Sequence, residues 1–198
     1  MSERRARVER QTRETRVVVE LDLDGTGQYQ VVTGIGMLDH LLSQVARHGN
    51  FDLTVEAKGD IHVDEHHTAE DVALGLGQAL RQALGEGKGI ARMGHAIVPM
   101  DEALALVAVD LSGRGYAAVD AKFRKHKVGE LASELIPHFL ESLAAEGRFN
   151  LHVQLLAGQD DHHRAEAIFK ALGRALDMAT RLEPRRSGQV PSTKGQIV

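Results

Sequence analysis

Cysteine is absent from the 198 residues, so disulfides and thiolate metal sites are excluded. Any bound metal must sit on imidazole and carboxylate. Tryptophan is absent too and aromatics make up 4%, which leaves few platforms for stacking bases. No apolar run approaches the ~20 residues needed to span a bilayer. The opening Met1-Ser2-Glu3-Arg4-Arg5 has no apolar stretch behind its charges, so no secretory leader is expected. Positive charge is in deficit, with a formal net charge of -4, which argues against a general nucleic-acid binder. The arginines at 4, 5, 7, 10, 13 and 16 read as a solvated strand or tail. The expectation is a cytoplasmic protein with no membrane or nucleic-acid partner. With 42% hydrophobic residues, the chain can bury a sizeable core.

What the chain has is histidine in a repeated pattern. His66-His67-Thr68-Ala69-Glu70 recurs 96 residues later as His162-His163-Arg164-Ala165-Glu166. Each copy has a further histidine upstream, His40 by 26 residues and His138 by 24. On a helix, residues at i, i+3 and i+4 share a face, whereas neighbours diverge by about 100°. Glu70 can therefore share a metal with His67 or with His66, while the adjacent histidines cannot easily serve one ion. The economical reading is that each adjacent pair serves two metals, and that the duplication makes a pseudo-twofold dimetal site. Such ligands suit zinc, manganese, iron or nickel and match all-oxygen magnesium or calcium sites poorly. A single His-His at a helix start is usually surface decoration; the duplication, with both glutamates and both upstream histidines, is what points to metal. His62, His95, His126 and His152 have no repeat partner and read as ordinary polar residues. His48 lies about two turns beyond His40 on one helix face.

The duplication extends through the chain. Glu14…Asp22-Leu23-Asp24-Gly25-Thr26-Gly27 lines up with Glu102…Asp110-Leu111-Ser112-Gly113-Arg114-Gly115 at an offset of 88. Gly49-Asn50-Phe51 and Gly147-Arg148-Phe149 follow at an offset of 98. Two homologous halves are expected, 1–92 and 93–182, with a tail at 183–198 whose composition alone reads as linker. In each half a strand (17–23, 103–111) should run into a hairpin turn and a return strand (29–33, 116–123). A helix (37–48, 130–146), a further strand (51–57, 149–156) and a long helix (66–84, 162–182) should follow. Asp64 and either Asp160 or Asp161 are available as caps for the long helices, Asp22 and Asp110 as turn formers, and 7–12 and 95–100 as first strands. The fold class expected is α+β, each half a mixed, antiparallel-rich four-stranded sheet with two helices, the four helices forming a layer between the two sheets. Gly75, Gly77 and Gly173 lower helix propensity, and close helix packing is the expected compensation.

The segments Gly36-Met37-Leu38-Asp39-His40, Asp64-Glu65-His66-His67-Thr68-Ala69-Glu70-Asp71, Asp161-His162-His163-Arg164-Ala165-Glu166 and Pro191-Ser192-Thr193-Lys194-Gly195 resemble the hallmark motifs of imidazoleglycerol-phosphate dehydratase, a histidine-biosynthesis enzyme. The resemblance covers nearly the whole chain. It implies dehydration of D-erythro-imidazole glycerol phosphate to imidazole acetol phosphate, with two manganese ions per site and 24-subunit shells whose active sites lie at subunit contacts. It also implies that one metal takes His40, His67, Glu70 and His162, and the other His66, His138, His163 and Glu166. The same resemblance makes Glu14 the first candidate for acid/base work, with Glu102 either its structural echo or a second catalytic group. Substrate is expected to meet Glu14, His40, His48, Arg92, Arg114, Lys170, Ser192 and Lys194. The chemistry agrees, because such a substrate has no carbonyl to acidify its C–H bond. Its imidazole ring is itself a metal ligand and can serve as the electron sink beside a Lewis acid, with no organic cofactor.

Two other readings compete: a dimetal phosphate-ester hydrolase, and a metal-storage or metal-sensing protein. The second has no use for Arg114, Lys170 and Lys194. Lys170 stands where the first half has Leu74, and Arg114 where it has Thr26. A pseudo-twofold site needs such a difference to hold an asymmetric phosphorylated substrate.

Overall fold

The computed structural model describes residues 4–186, 188–195 and 197. The expectation about a leader thus falls partly on residues 1–3, outside the described ones. Two mixed four-stranded sheets sandwich four helices, the α+β architecture expected. In chain order the first half holds β1 (Arg5–Gln11), β2 (Thr15–Asp22), β3 (Tyr29–Val32), α1 (Gly36–Gly49), β4 (Asp52–Gly59) and α2 (His66–Leu84). The second holds β5 (Met93–Met100), β6 (Ala103–Asp110), β7 (Tyr116–Asp120), the short β8 (Lys127–Val128) and β9 (Leu131–Ala132), α3 (Leu135–Gly147), β10 (Asn150–Ala157) and α4 (Asp161–Thr180). The strand orders are equivalent, β1-β2-β4-β3 and β5-β6-β10-β7. In β6 burial alternates residue by residue, so one face is fixed toward the helices and register cannot slip.

Where a hairpin was expected after Asp-Leu-x-Gly-x-Gly, the chain crosses the sheet end instead. β3 pairs parallel with β4, and β7 parallel with β10. The cause is that the turn is tied to the following strand. Asp52 Oδ1 accepts the N–H groups of Thr26 and Gln28 at 2.8 and 2.9 Å, and a Cβ on Gly25 would lie 2.3 Å from Asp52 N. The true hairpins are β1–β2 and β5–β6. At the first, Thr12 Oγ1 accepts from the N–H groups of Glu14 and Thr15.

The helix expected over 130–146 starts later, at Leu135. Residues 127–132 form the β8–β9 hairpin, with Gly129 at φ 62°. Glu130 is drawn away to accept the Met37 N–H at 2.7 Å, capping α1, whose Ile35 has no side-chain cap of its own. α4 is capped by Asp160, which accepts from the N–H groups of His162 and His163. Asp64 accepts from His66 N–H at 2.9 Å.

The tail does not behave as linker. Gly89 N–H donates to Gln189 O, Glu183 N–H to Gly89 O, and the Arg92 side chain to Pro191 O at 2.8 Å. Residues 187, 196 and 198 of the expected tail lie outside the described ones. Among the described residues no helix is long and apolar enough to cross a membrane.

Candidate dimetal site

The helices pair across the duplication. α1 lies against α4, and α2 against α3. Glycine sets both crossings. A Cβ on Gly173 of α4 would meet Val45 O of α1 at 2.6 Å, and one on Gly77 of α2 would meet Leu143 O of α3 at 2.8 Å. Gly77 and Gly173 are repeat counterparts, as are Val45 and Leu143, so the two crossings are one device used twice. Close packing is thus the compensation that the helical glycines were expected to have. Gly75 differs, facing the Val19 and Val17 side chains of β2. Between the helices Phe139 and Phe169 pack with ring centroids 5.8 Å apart, both fully buried.

Crossed pairing brings the upstream histidine of each half to the His-His-x-x-Glu of the other. His40 Nε2 lies 3.0 Å from Glu166 Oε2, and His162 Nε2 lies 3.2 Å from the same oxygen. The rings of His40 and His162 are 5.2 Å apart. In the second group the rings of His66 and His138 stack at 4.7 Å. Glu70 Oε1 is 3.4 Å from His138 Nε2, and its Oε2 is 4.0 Å from His66 Nε2. Each group offers three ligand atoms within 4.8 Å of one another.

The glutamates therefore stand in the opposite groups from those that the resemblance implies: Glu166 with His40 and His162, Glu70 with His66 and His138. The reason is helical. Each carboxylate follows the first histidine of its own motif at i+4, on one face. The second histidine of each pair turns away, with ring planes crossing at 86° for His66–His67 and 84° for His162–His163.

The residues fit a divalent transition ion. Two imidazoles and a carboxylate converge in each group, the donor set such ions take. Among the described residues His138 Nε2 is buried with no hydrogen-bond partner, although it points toward Glu70. A buried, unsatisfied imidazole nitrogen at a cluster of ligand atoms is what an absent ion would explain. Burial of Glu166 favours its neutral form, but the hydrogen bonds from Lys170 and His40 outweigh it and lower its pKa to about 2. The Lys170 ammonium lies 2.6 Å from Glu166 Oε1.

His67 and His163 are engaged elsewhere. His67 Nδ1 lies 3.1 and 3.2 Å from the oxygens of Asp60, and 3.8 Å from Glu14 Oε2. His163 Nδ1 lies 2.7 Å from Glu102 Oε2. The hydrogen bonds to Asp60 and Glu102 raise the pKa of His67 and His163 above 6.5. Glu102 also accepts the N–H groups of Gln159 and Asp160 at 2.8 and 2.7 Å. The Asp160 N–H, His163 and the Gln159 N–H together lower its pKa to about 2. Among the described residues its repeat partner Glu14 accepts no such bonds, and it is half exposed. Asp60 was not singled out from sequence, yet a signal exists. The offset between halves falls from 98 at Gly49/Gly147 to 96 at His66/His162, so the first half carries two extra residues before its motif, in the segment that holds Asp60.

The expected substrate cations divide between two ends of the molecule. Lys170 sits beside Glu166. Burial, Lys170 and Arg174 lower the pKa of His48, which places His48 in the same cationic neighbourhood. Arg92, Arg114, Ser192 and Lys194 are not there. Arg92 N–H donates to Ala179 O at the C-terminal end of α4, and a Cβ on Gly115, next to Arg114, would lie 2.7 Å from Ala145 near the C-terminal end of α3. His162 is 17 residues before Ala179 on α4, or about 25 Å away at 1.5 Å per residue. The Arg92 guanidinium bridges Asp110, at 2.7 and 3.0 Å, to Pro191 O, fixing the segment that carries Ser192 and Lys194.

The family model for imidazoleglycerol-phosphate dehydratase matches residues 33–176. The imidazoleglycerol-phosphate dehydratase of Chloroflexus aggregans is 60% identical over 194 residues, covering 98% of this chain and 95% of the relative. That of Methanothermobacter thermautotrophicus is 54% identical, covering 98% of each. Among solved structures, the enzyme from Pyrococcus furiosus superposes with a TM-score of 0.83 at 39% identity, covering 96% of this chain and 99% of that one. The Staphylococcus aureus enzyme superposes with a TM-score of 0.81 at 34% identity, covering 90% and 99%.

Proposed function

The chain belongs to the imidazoleglycerol-phosphate dehydratase family, and from that membership we propose that it converts D-erythro-imidazole glycerol phosphate to imidazole acetol phosphate and water with the help of two divalent metal ions. It is a hydro-lyase of histidine biosynthesis, and the cytoplasm is its proposed location. One ion is assigned to His40, His162 and Glu166, the other to His66, Glu70 and His138. The observation that carries this is the pair of converging three-residue groups, one with an orphaned imidazole nitrogen. Manganese is the proposed metal; bound there, it supplies Lewis acidity toward the imidazole ring of the substrate.

The protein's own groups do the rest. Glu14, a half-exposed carboxylate, is assigned to move the proton from carbon, while Glu102 is held by three donors and serves to hold. Lys170 and His48 receive the anionic end of the substrate on one side only, which breaks the pseudo-twofold. Arg92, Arg114, Ser192 and Lys194 are too distant to join them within one chain. A homo-oligomer resolves this, with the phosphate grip of one copy reaching the metal groups of another and 24 copies as the proposed assembly. In the same arrangement His67 and His163 complete the metal groups of neighbouring copies, His67 beside His40 and His162, His163 beside His66 and His138.

The test is turnover after chelation. Metal-free protein should form no ketone product and should recover when Mn2+ is returned. Full activity with metal shown absent contradicts the proposal, and release of inorganic phosphate would favour the hydrolase reading.

A further inference from the structure

His67 and His163 stand outside the three-residue groups, and each has its Nδ1 against a carboxylate that is no part of those groups. The two carboxylates are not repeat counterparts. Glu102 matches Glu14, whereas Asp60 comes from the longer segment ahead of the first motif. Two different residues, supplied by different parts of each half, have thus converged on the same contact. We infer that Asp60 and Glu102 are positioning residues: each takes the Nδ1–H of its histidine, fixing the tautomer whose Nε2 lone pair is presented as a metal ligand. This inference rests on the dimetal reading above.

The physical basis is the single N–H of a neutral imidazole. With that proton at Nδ1 and bonded to a carboxylate, Nε2 is left as the acceptor, and the carboxylate raises its basicity. The distances suit it, at 3.1 and 3.2 Å for Asp60 and 2.7 Å for Glu102. Both carboxylates are anchored. Glu102 is fixed by the Gln159 and Asp160 N–H groups, and Asp60 sits in a turn closed by the Val63 N–H on its backbone oxygen at 2.7 Å. His163 Nε2 has Asp101 at 3.8 Å, beyond hydrogen-bond reach.

In the second half Glu102 orients the imidazole and is thereby immobilised. In the first half Asp60 does that work, so Glu14, 3.8 Å from His67, is left free. The duplication has kept two equivalent ligand orientations while releasing one carboxylate for proton transfer.

The experiment uses the full assembled chain, stripped of metal and titrated with Mn2+ against a chromophoric chelator. Asp60→Asn keeps the size and an acceptor but removes the charge. It should weaken metal binding about ten- to a hundredfold, with stoichiometry restored at saturation. Glu102→Gln should do the same. In a His67→Ala background, adding Asp60→Asn should cost nothing further, because the aspartate acts only through that ring. Wild-type affinity in Asp60→Asn, or an equal loss with His67 already absent, overturns the positioning role while leaving the dimetal reading intact. A wild-type protein that takes up no metal overturns both.

Discussion

Replacing Gly173 with alanine should damage metal binding more than it damages the fold. The added Cβ would sit 2.6 Å from Val45 O and 3.0 Å from Gly49 N, both backbone atoms of α1. Neither can rotate away, so α1 and α4 must separate by about 0.4 Å to reach even a 3.0 Å contact. That displacement falls between His40 on one helix and Glu166 on the other, now 3.0 Å apart. Ligand distances tolerate only about 0.2 Å, so metal binding has to restore the original crossing. Overpacking of this kind costs about 1–3 kcal/mol. Against it stands a gain of up to ~1 kcal/mol from replacing glycine within a helix. Net stability should therefore fall by about 0–3 kcal/mol in denaturant unfolding of metal-free protein. If the strain is returned on binding, metal affinity should drop about five- to a hundredfold. Gly75→Ala, which touches only the Val19 and Val17 side chains of the sheet, should bind metal as the wild type does. Wild-type metal affinity in Gly173→Ala would refute the claim that this crossing sets the ligand geometry.

Lys170→Leu removes an ammonium that breaks the twofold, and should raise KM for the phosphorylated substrate about ten- to a hundredfold while saturating metal content stays the same. An unchanged KM would mean the lysine serves Glu166 alone. Metal-free protein should be most stable between about pH 4.5 and 6.5. Below that window Glu102, whose folded pKa is about 2 against 4.5, loses its stabilising charge as pH falls. Above it His67 and His163, with raised folded pKa values, lose theirs as pH rises. Thermal midpoints across pH check this, and Glu102→Gln should lessen the acid-side loss, leaving the part that belongs to Glu166. Because the proposed assembly shares its sites, removing metal should yield smaller oligomers and adding it should rebuild them. Inactive His162→Ala and Lys194→Ala chains, reassembled together, should then regain about a quarter of wild-type activity through sites free of both changes. No recovery would place the metal and phosphate residues of each site in a single chain.

Much of this was legible in sequence because duplication doubles every signal. The two His-His-x-x-Glu motifs and the α+β order follow from pattern and spacing alone. The missed features sit where the repeat offset changes. Between Asp22/Asp110 and Met37/Leu135 it grows from 88 to 98, and those ten extra residues hold the β8–β9 hairpin where Glu130 was expected in a helix. Between Gly49/Gly147 and His66/His162 it shrinks to 96, in the segment that supplies Asp60. Other misses had no local signal. Whether β3 returns beside β2 or crosses to β4 depends on Asp52 pinning the turn, a contact 26 residues from Thr26. The i+4 spacing that puts each glutamate beside the first histidine of its own motif is local, but which upstream histidine reaches that pair depends on helix pairing across the halves, set by glycine contacts no periodicity reveals. The distance from Arg92 to His162 is likewise a property of the folded α4.

The central claim is that two ions bind between the crossed helices, and anomalous diffraction at the manganese edge from metal-loaded crystals tests it most directly. Two peaks per chain are predicted, one within reach of His40, His162 and Glu166, the other of His66, Glu70 and His138, each with a further imidazole from another copy. A single peak, or manganese at neither group, would contradict the account.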